Sequence, residues 1–422
     1  MNAENIYFDH SATTPVDKPV LEKMLPYFSE KFGNASSIHN FGQTALAGVD
    51  EARSQVADFF NAEPEEIIFT SGATEADNLA VKGFIFNLNK KGMAFADMHV
   101  ITSVVEHDAI LEPFMELEKL GVAVDHAPVD KSGIVVFEKL EALIRENTVF
   151  VSIMWVNSEV GAIMPIKKIG KLISKINEDR EKNWKNTRPK DRGERPLKIV
   201  FHTDATQAVN FANCDVKWNY VDMLSMSGHK IYGPKGVGAL YKKKDVEICA
   251  LQRGGHHENN LRSGTLNVAA IVGLGEAVAQ IGRGEKGEQS DEQKKNNKYV
   301  SELRDRLVEG VKKNIPDAVL NTDRETSTAS HAHFTFLGVE GESILIALDL
   351  EGIAVSTGSA CASGSLKASH VLLAMGIDKE VAHYSVRFTL GKHNTEEQIG
   401  RVIDTLIPAI KRLRKMNPLY KK

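Results

Sequence analysis

The chain has 422 residues, with 52 Lys+Arg against 56 Asp+Glu for a net charge of −4, 42% hydrophobic and 26% charged residues, and three cysteines. A chain of this length and apolar content buries a sizeable core without disulfides or a structural metal. Collagen-like, disordered and disulfide-scaffold classes are excluded, and so is the strongly basic surface of a wholesale nucleic-acid binder. No direct DNA binding is expected.

Cys214, Cys249 and Cys361 form no C-x-x-C pair, a usage that fits a reducing compartment. The stretch MNAENIYFDHSATT has neither a basic n-region nor an apolar h-region. No apolar run approaches the roughly 18 residues of a membrane span. The expectation is a cytoplasmic protein that does not enter the membrane.

From about residue 65, short apolar runs alternate with amphipathic stretches. EEIIFTSG predicts a strand and ATEADNLAVKGFIFNLNKK the helix after it. MHVITSVVEH, VAVDHAPV, TVFVSIMWVN, KIVFHTDATQ and VDMLSMSGHK predict further strands, while AILEPFMELEKLG and KKIGKLISKINE have helical spacing. Strand–helix–strand repetition implies parallel strands with helical crossovers, an α/β architecture.

After about residue 265 the texture changes. Ser290 with Gln293 makes a capping-box signal, and Tyr299, Val300, Leu303, Leu307 and Val311 then fall on one helical face. HAHFTFLGV, GIAVSTG and YSVRFTLG read as strands among helical stretches such as EEQIGRVIDTLIPAIKRLRK, which predicts a smaller α+β domain. The expected division is a large domain over 16–264 and a small one made of 1–15 and 265–422. The segment 177–198, with eight basic and five acidic residues, is expected as a solvated loop, and 282–293 as a Gly-rich polar linker.

No G-x-x-x-x-G-K-[ST], G-x-G-x-x-G after a strand, H-E-x-x-H or G-x-S-x-G is present. What stands out is a set of polar residues where strands end. Thr70-Ser71-Gly72-Ala73-Thr74-Glu75 is a strand-to-helix turn of small residues and hydroxyls, able to cradle a phosphate or merely to cap a helix. Asp204 follows the apolar run KIVF, where a carboxylate is costly without a cation or a helix to cap. Lys230 ends an apolar strand and enters the turn Ile231-Tyr232-Gly233-Pro234-Lys235-Gly236. Burial there would lower its pKa and make it a Schiff-base nucleophile. Lysine, aspartate and phosphate cradle together are what pyridoxal phosphate requires.

At this point the chain resembles a NifS/IscS-type cysteine desulfurase of the class V aminotransferase group. YFDHSATTPVD, GNASSIHNFG, FTSGATEADN, VEHDAI, NSEVGAIMPI, HTDATQAV, SGHKIYGPKG, RSGTLN, GSACASGSL and VRFTLG match in order and spacing over nearly the whole chain. The resemblance implies a fold-type I pyridoxal-phosphate enzyme, with a large α/β domain on a mostly parallel, seven-stranded-type sheet and a small α+β domain, working as a homodimer. It implies Lys230 as the residue that holds the cofactor and moves protons, Asp204 on the pyridine nitrogen, Gln207 on the phenolate oxygen, and His107 as a catalytic residue stacked on the ring and acting in acid–base steps. Ala73, Thr74, Ser227 and His229 would hold the phosphate, with Thr265 from the other subunit. Asn157 and Arg387 would take the substrate carboxylate.

Cys361, in Ser356-Thr357-Gly358-Ser359-Ala360-Cys361-Ala362-Ser363-Gly364, separates this family from ordinary transaminases. A Gly/Ser/Ala run is a poor core, so the thiol is expected exposed and catalytic, with Cys214 and Cys249 as buried small hydrophobes. The implied reaction removes sulfur from L-cysteine, giving L-alanine and a persulfide on Cys361. That sulfur would pass to an iron–sulfur scaffold or sulfur-relay protein for cluster assembly or thiolation. The alternatives are a selenocysteine lyase or aminotransferase of the same fold, and an idle scaffold. A transaminase needs no thiol, and an idle relative would be expected to have lost one of Lys230, Asp204, His107 or Cys361. No resident metal is expected: His331 and His333 are read as one half-exposed strand face, and His256 and His257 as adjacent and divergent. His10-Ser11 stand where many relatives have two asparagines, which leaves the contacts of the N-terminal strand open.

Overall fold

The computed structural model describes residues 5–187, 196–285, 287–357, 368–418 and 420. Twelve strands run in chain order: β1 (Ile6–Tyr7), β2 (Ile67–Thr70), β3 (His99–Ser103), β4 (Ala123–Ala127), β5 (Thr148–Ser152), β6 (Val200–Asp204), β7 (Met223–Ser227), β8 (Gly238–Lys242), β9 (Ala318–Leu320), β10 (His331–Phe336), β11 (Ile353–Ala354) and β12 (Ser385–Thr389). The main sheet has seven strands in the order β2-β8-β7-β6-β5-β3-β4. Only β8 runs against its neighbours β2 and β7.

The central strands are buried along their whole length, as expected where helices cover both faces of a parallel sheet. Successive residues serve opposite layers. Ile101, Val151, Phe201 and Leu224 point into one core with the helices Asn40–Phe60, Ile166–Asn186 and Val268–Ile281. Val100, Phe150, Val200 and Met223 point into the other, under the helices Ala73–Lys90 and Asp108–Lys119. The helix Val268–Ile281 lies beyond residue 264, yet its Ile271, Leu274 and Val278 belong to the core of the large sheet.

A separate core gathers β1, the antiparallel sheet β12-β10-β9 and the helices Asp291–Asn314 and Glu396–Met416. The capping box forms as the sequence predicts, with Ser290 Oγ accepting from Gln293 N and the Gln293 side chain accepting from Ser290 N. Val300, Leu303, Leu307 and Val311 are buried beneath it. β1 pairs in parallel with β11, which ties the start of the chain to the small body.

Three expectations are corrected. The segment from 177 onward does not begin as a loop: the helix continues to Asn186, because its polar residues have adequate helix propensity and only one face needs to pack. His331 and His333 are fully buried rather than half exposed, His331 facing the Ser158 carbonyl and His333 the Asn321 amide. Cys214 is buried, but Cys249 is only half buried. The strand β8 and the helix Asn40–Phe60 carry signals that the sequence reading passed over. No described helix is long and apolar enough to cross a membrane.

Candidate active site

The carboxyl ends of the parallel strands face one way, and a cavity of about 610 Å³ sits there, within the usual range for a small-ligand site. Lys230, Asp204, Gln207, Ser227, His229, Thr74, Ala73, His107 and Arg387 all line it. Strand ends explain most of the convergence, because each of these residues except Arg387, which lies in the middle of β12, sits at or just after the point where a strand of the large sheet runs out.

The turn Ser71-Gly72 leads into the helix Ala73–Lys90, so the first N–H groups of that helix open toward the cavity. Gly238 is what lets the turn lie so close: a Cβ there would stand 2.5 Å from the Met226 carbonyl oxygen and 2.7 Å from the Gly72 carbonyl carbon. Glu75 locks the turn from beside it. It accepts from Ser71 N at 2.6 Å and from Arg262 Nε at 2.8 Å. Burial pushes the Glu75 carboxyl up, but Arg262 and Ser71 together outweigh burial and hold it below its usual range.

Asp204 is buried and accepts from the backbone N–H of Thr206 at 2.9 Å. Lys230 Nζ donates to the carbonyls of Ser11 and Ala12 at 2.5 and 2.8 Å. Gln207 Nε2 donates to the same Ser11 carbonyl at 2.9 Å, and His229 Nδ1 lies 3.1 Å from Thr13 Oγ1. The segment Ser11–Thr13 therefore forms a wall of the site. Burial, then the nearby Lys230 and Lys235, push the His229 imidazole down to about 4, so it is neutral near pH 7.

His107 caps the helix Asp108–Lys119, its Nδ1 accepting from Ala109 N at 3.1 Å. That bond leaves the neutral ring's proton on Nε2. Arg387, in β12, is 5% exposed and reaches Asp9 Oδ1 at 2.8 Å and the Ser158 carbonyl at 3.0 Å. Among the described residues its buried Nε has no hydrogen-bond partner, and neither has Thr206 Oγ1.

Two sequence-predicted residues stand apart. Asn157 is buried and does not line the cavity; it donates to the Val105 carbonyl and accepts from Glu159 N and Val160 N. Thr265 is exposed and does not line the cavity of its own chain. Cys361 lies outside the described residues.

The sequence left the contacts of Ser11 open and gave no role to Ala12, Thr13, Thr206 or a set of buried acids. Burial pushes Glu106 up to about 8, against hydrogen bonds from Ser103 Oγ and Met154 N. Burial pushes Glu159 up to about 7, against Ser369 and Arg387. Burial, then Asp204, push Asp77 well above the carboxylate range. Their only sequence signal was an acid inside an otherwise apolar or small-residue run.

These residues fit pyridoxal phosphate. A lysine and a buried carboxylate share one cavity, helix N–H groups and the Ser227 hydroxyl offer a phosphate cradle, and Arg387 Nε and Thr206 Oγ1 have no partner among the described residues.

The class-V aminotransferase family model matches residues 6–178 and 193–402, leaving a gap inside the charged stretch. The cysteine desulfurase IscS of Dictyoglomus turgidum is 44% identical over 413 residues, 98% of this chain and 96% of that one. The protein of the same name from Methanosarcina thermophila is 44% identical over 417 residues, 99% of this chain and 95% of that one. Of solved structures, a NifS-like protein superposes with a TM-score of 0.84 at 34% identity, over 97% of this chain and 100% of the other. The structure of SspA in complex with cysteine gives 0.74 at 33% identity, over 92% and 100%.

Proposed function

We infer, from a chain that belongs to the class-V aminotransferase family, that this protein is a pyridoxal-phosphate-dependent L-cysteine desulfurase. The observation that carries the reading is the meeting of Lys230, Asp204, His107 and Arg387 in one cavity in a chain that also contains Cys361.

When bound, pyridoxal phosphate supplies an electron sink for bond breaking at the substrate α-carbon. In our reading Asp204 faces the ring nitrogen and keeps its proton in place. Ser227, His229 and the amides of Ala73 and Thr74 would hold the phosphate, Gln207 would donate to the phenolate oxygen, and His107 would pack on the ring. Lys230 Nζ would hold the cofactor, and its amine would accept the proton from the substrate α-carbon. Arg387 takes the substrate carboxylate, while Asn157, buried outside the cavity with its amide already paired, shapes the turn beside it instead of touching substrate. The Cys361 thiolate attacks the sulfur of L-cysteine, so that the C–S bond breaks, L-alanine leaves, and the sulfur stays as a persulfide on Cys361.

We read the active form as a homodimer in which Thr265 completes the partner's phosphate site. Support comes from the exposed apolar side chains Leu25, Phe28, Phe32, Ile38 and Phe41, which cluster in one short stretch; Ile38 is 94% exposed. A cytoplasmic location follows from the cysteine usage, and the acceptor of the sulfur is a scaffold or relay protein.

The test is to measure alanine and sulfide released from L-cysteine in the presence of a thiol reductant, for wild type and Cys361→Ala. Equal amounts of both products, lost in the variant, support the reading. Alanine that is absent, or unchanged in the variant, moves the function to another pyridoxal-phosphate reaction.

A further inference from the structure

Asp77 sits in the second turn of the helix Ala73–Lys90, is wholly buried, and lines the cavity beside Asp204. The face of the sheet beneath it carries a polar row. His202 and Asp204, two apart in β6, point to the same side. His202 Nδ1 lies 2.8 Å from Ser152 Oγ and its Nε2 3.0 Å from Ser225 Oγ. Ser225 is also the partner of Asp204 in the β6–β7 ladder.

The charges of this wall do not balance if both aspartates are ionised. Among the described residues the one basic group within ion-pair distance of Asp77 is His202, with Nε2 3.6 Å from Oδ1. That imidazole is fully buried, stacked on Phe150 and held by two serines, and burial pushes it down to about 3, so it supplies no positive charge. Glu106, the other nearby acid, adds a third carboxyl and no cation. Two like charges side by side in a low-dielectric wall are resolved by one of them keeping its proton.

Which one keeps it follows from the surroundings. Asp204 has the Thr206 N–H and opens on the cavity. Among the described residues neither Asp77 oxygen has a hydrogen bond of normal length, Ser225 being its nearest hydroxyl partner. As an acid, Asp77 offers an O–H to the Ser225 and His202 side of the wall, whereas as a carboxylate it would face Asp204 with nothing to neutralise it.

We propose that Asp77 is a positioning residue for the cofactor: a buried carboxylic acid, held neutral, that braces the His202–Ser225 wall and leaves Asp204 as the single negative charge facing the ring nitrogen. This rests on the cofactor reading above.

The test titrates cofactor-free Asp77→Asn and Asp77→Val with pyridoxal phosphate, following affinity and the visible band of the bound cofactor. Asparagine is permanently neutral and keeps a donor, so its affinity should stay within about threefold of wild type with the band in place. Valine removes the donor, and should weaken affinity by roughly tenfold and shift the band. A valine variant that matches wild type, or an asparagine variant as weak as valine, overturns the proposal. A second measurement stands if the valine variant does not fold. The infrared difference between wild type and Asp77→Asn at pH 7 should contain the carbonyl stretch of one protonated carboxyl, and its absence also overturns the proposal. Wild-type protein that binds no pyridoxal phosphate would sink the functional reading, while the infrared band would still decide the form of Asp77.

Discussion

Lys230 Nζ lies 2.5 Å from the carbonyl oxygen of Ser11, a contact between residues 219 positions apart. The ammonium holds the N-terminal segment against the turn that follows β7, and Thr14 reinforces the join by donating through N and Oγ1 to the His229 carbonyl. The lysine read as the cofactor anchor is therefore also a tie between the start of the chain and the large sheet.

Replacing it separates the two roles. Lys230→Ala should abolish retention of pyridoxal phosphate through gel filtration, since no other lysine except Lys235 lines the cavity. The visible band of bound cofactor is the readout, and an unchanged band would move the anchor elsewhere.

Arg387 presents a planar fork that a lysine cannot copy. With Asp9 and the Ser158 carbonyl already on its two terminal nitrogens, its place is fixed before substrate arrives. Arg387→Lys should raise KM for L-cysteine on the order of 10- to 100-fold, the worth of one charge-assisted hydrogen bond, with a smaller effect on kcat. Steady-state kinetics decide it, and an unaltered KM would remove Arg387 from the carboxylate site.

Gly238 tests the phosphate turn without touching a polar group. The Cβ of Gly238→Ala would stand 2.5 Å from the Met226 carbonyl oxygen, so either β8 or the Gly72 turn must move. A loss of about 1–3 kcal/mol in stability is expected, together with weaker cofactor binding. Thermal melts and cofactor titration measure the two effects, and a variant unchanged in both would show that the turn has slack.

Acid should destabilise the fold. Burial pushes the imidazoles of His202, His331 and His333 down to about 3, with Arg387 adding to the effect at the last two. The unfolded chain takes up their protons near the ordinary value of about 6.5. The folded state thus binds fewer protons, so stability is complete above about pH 6.5 and falls as pH drops toward 3, by roughly 1.4 kcal/mol per pH unit for each histidine. Glu106 and Glu159 work the other way: their raised pKa values make the fold gain stability as pH falls from about 8 toward the unfolded value. His10 and His229, lowered by burial to about 4, lose stability in the same way, and Asp77, raised by burial, works with the two glutamates, so three acids offset part of what five histidines lose. The melting temperature should fall between pH 7 and pH 5; a flat or rising value would mean that the histidines are protonated in the fold.

Much of the architecture is legible in local sequence. Runs such as TVFVS are buried on both faces and need no partner to be identified as strands, and the Ser290–Gln293 box announces its helix. The polar residues that end those strands, Asp204, Ser227 and Lys230, could be read for the same reason, because a strand end is marked by the change from apolar to small and polar residues. What local sequence does not contain is which distant segment covers a site. Ser11 and Ala12 look like any small-residue turn until the parallel pairing of β1 with β11 brings them over Lys230. Asp77 is one acid in an amphipathic helix until that helix is laid across β6 and β7. Local periodicity is set by backbone geometry within a few residues, and so it belongs to the sequence. The burial of a charge, and the partner that answers it, are set by segments hundreds of residues apart, and only the tertiary structure decides them.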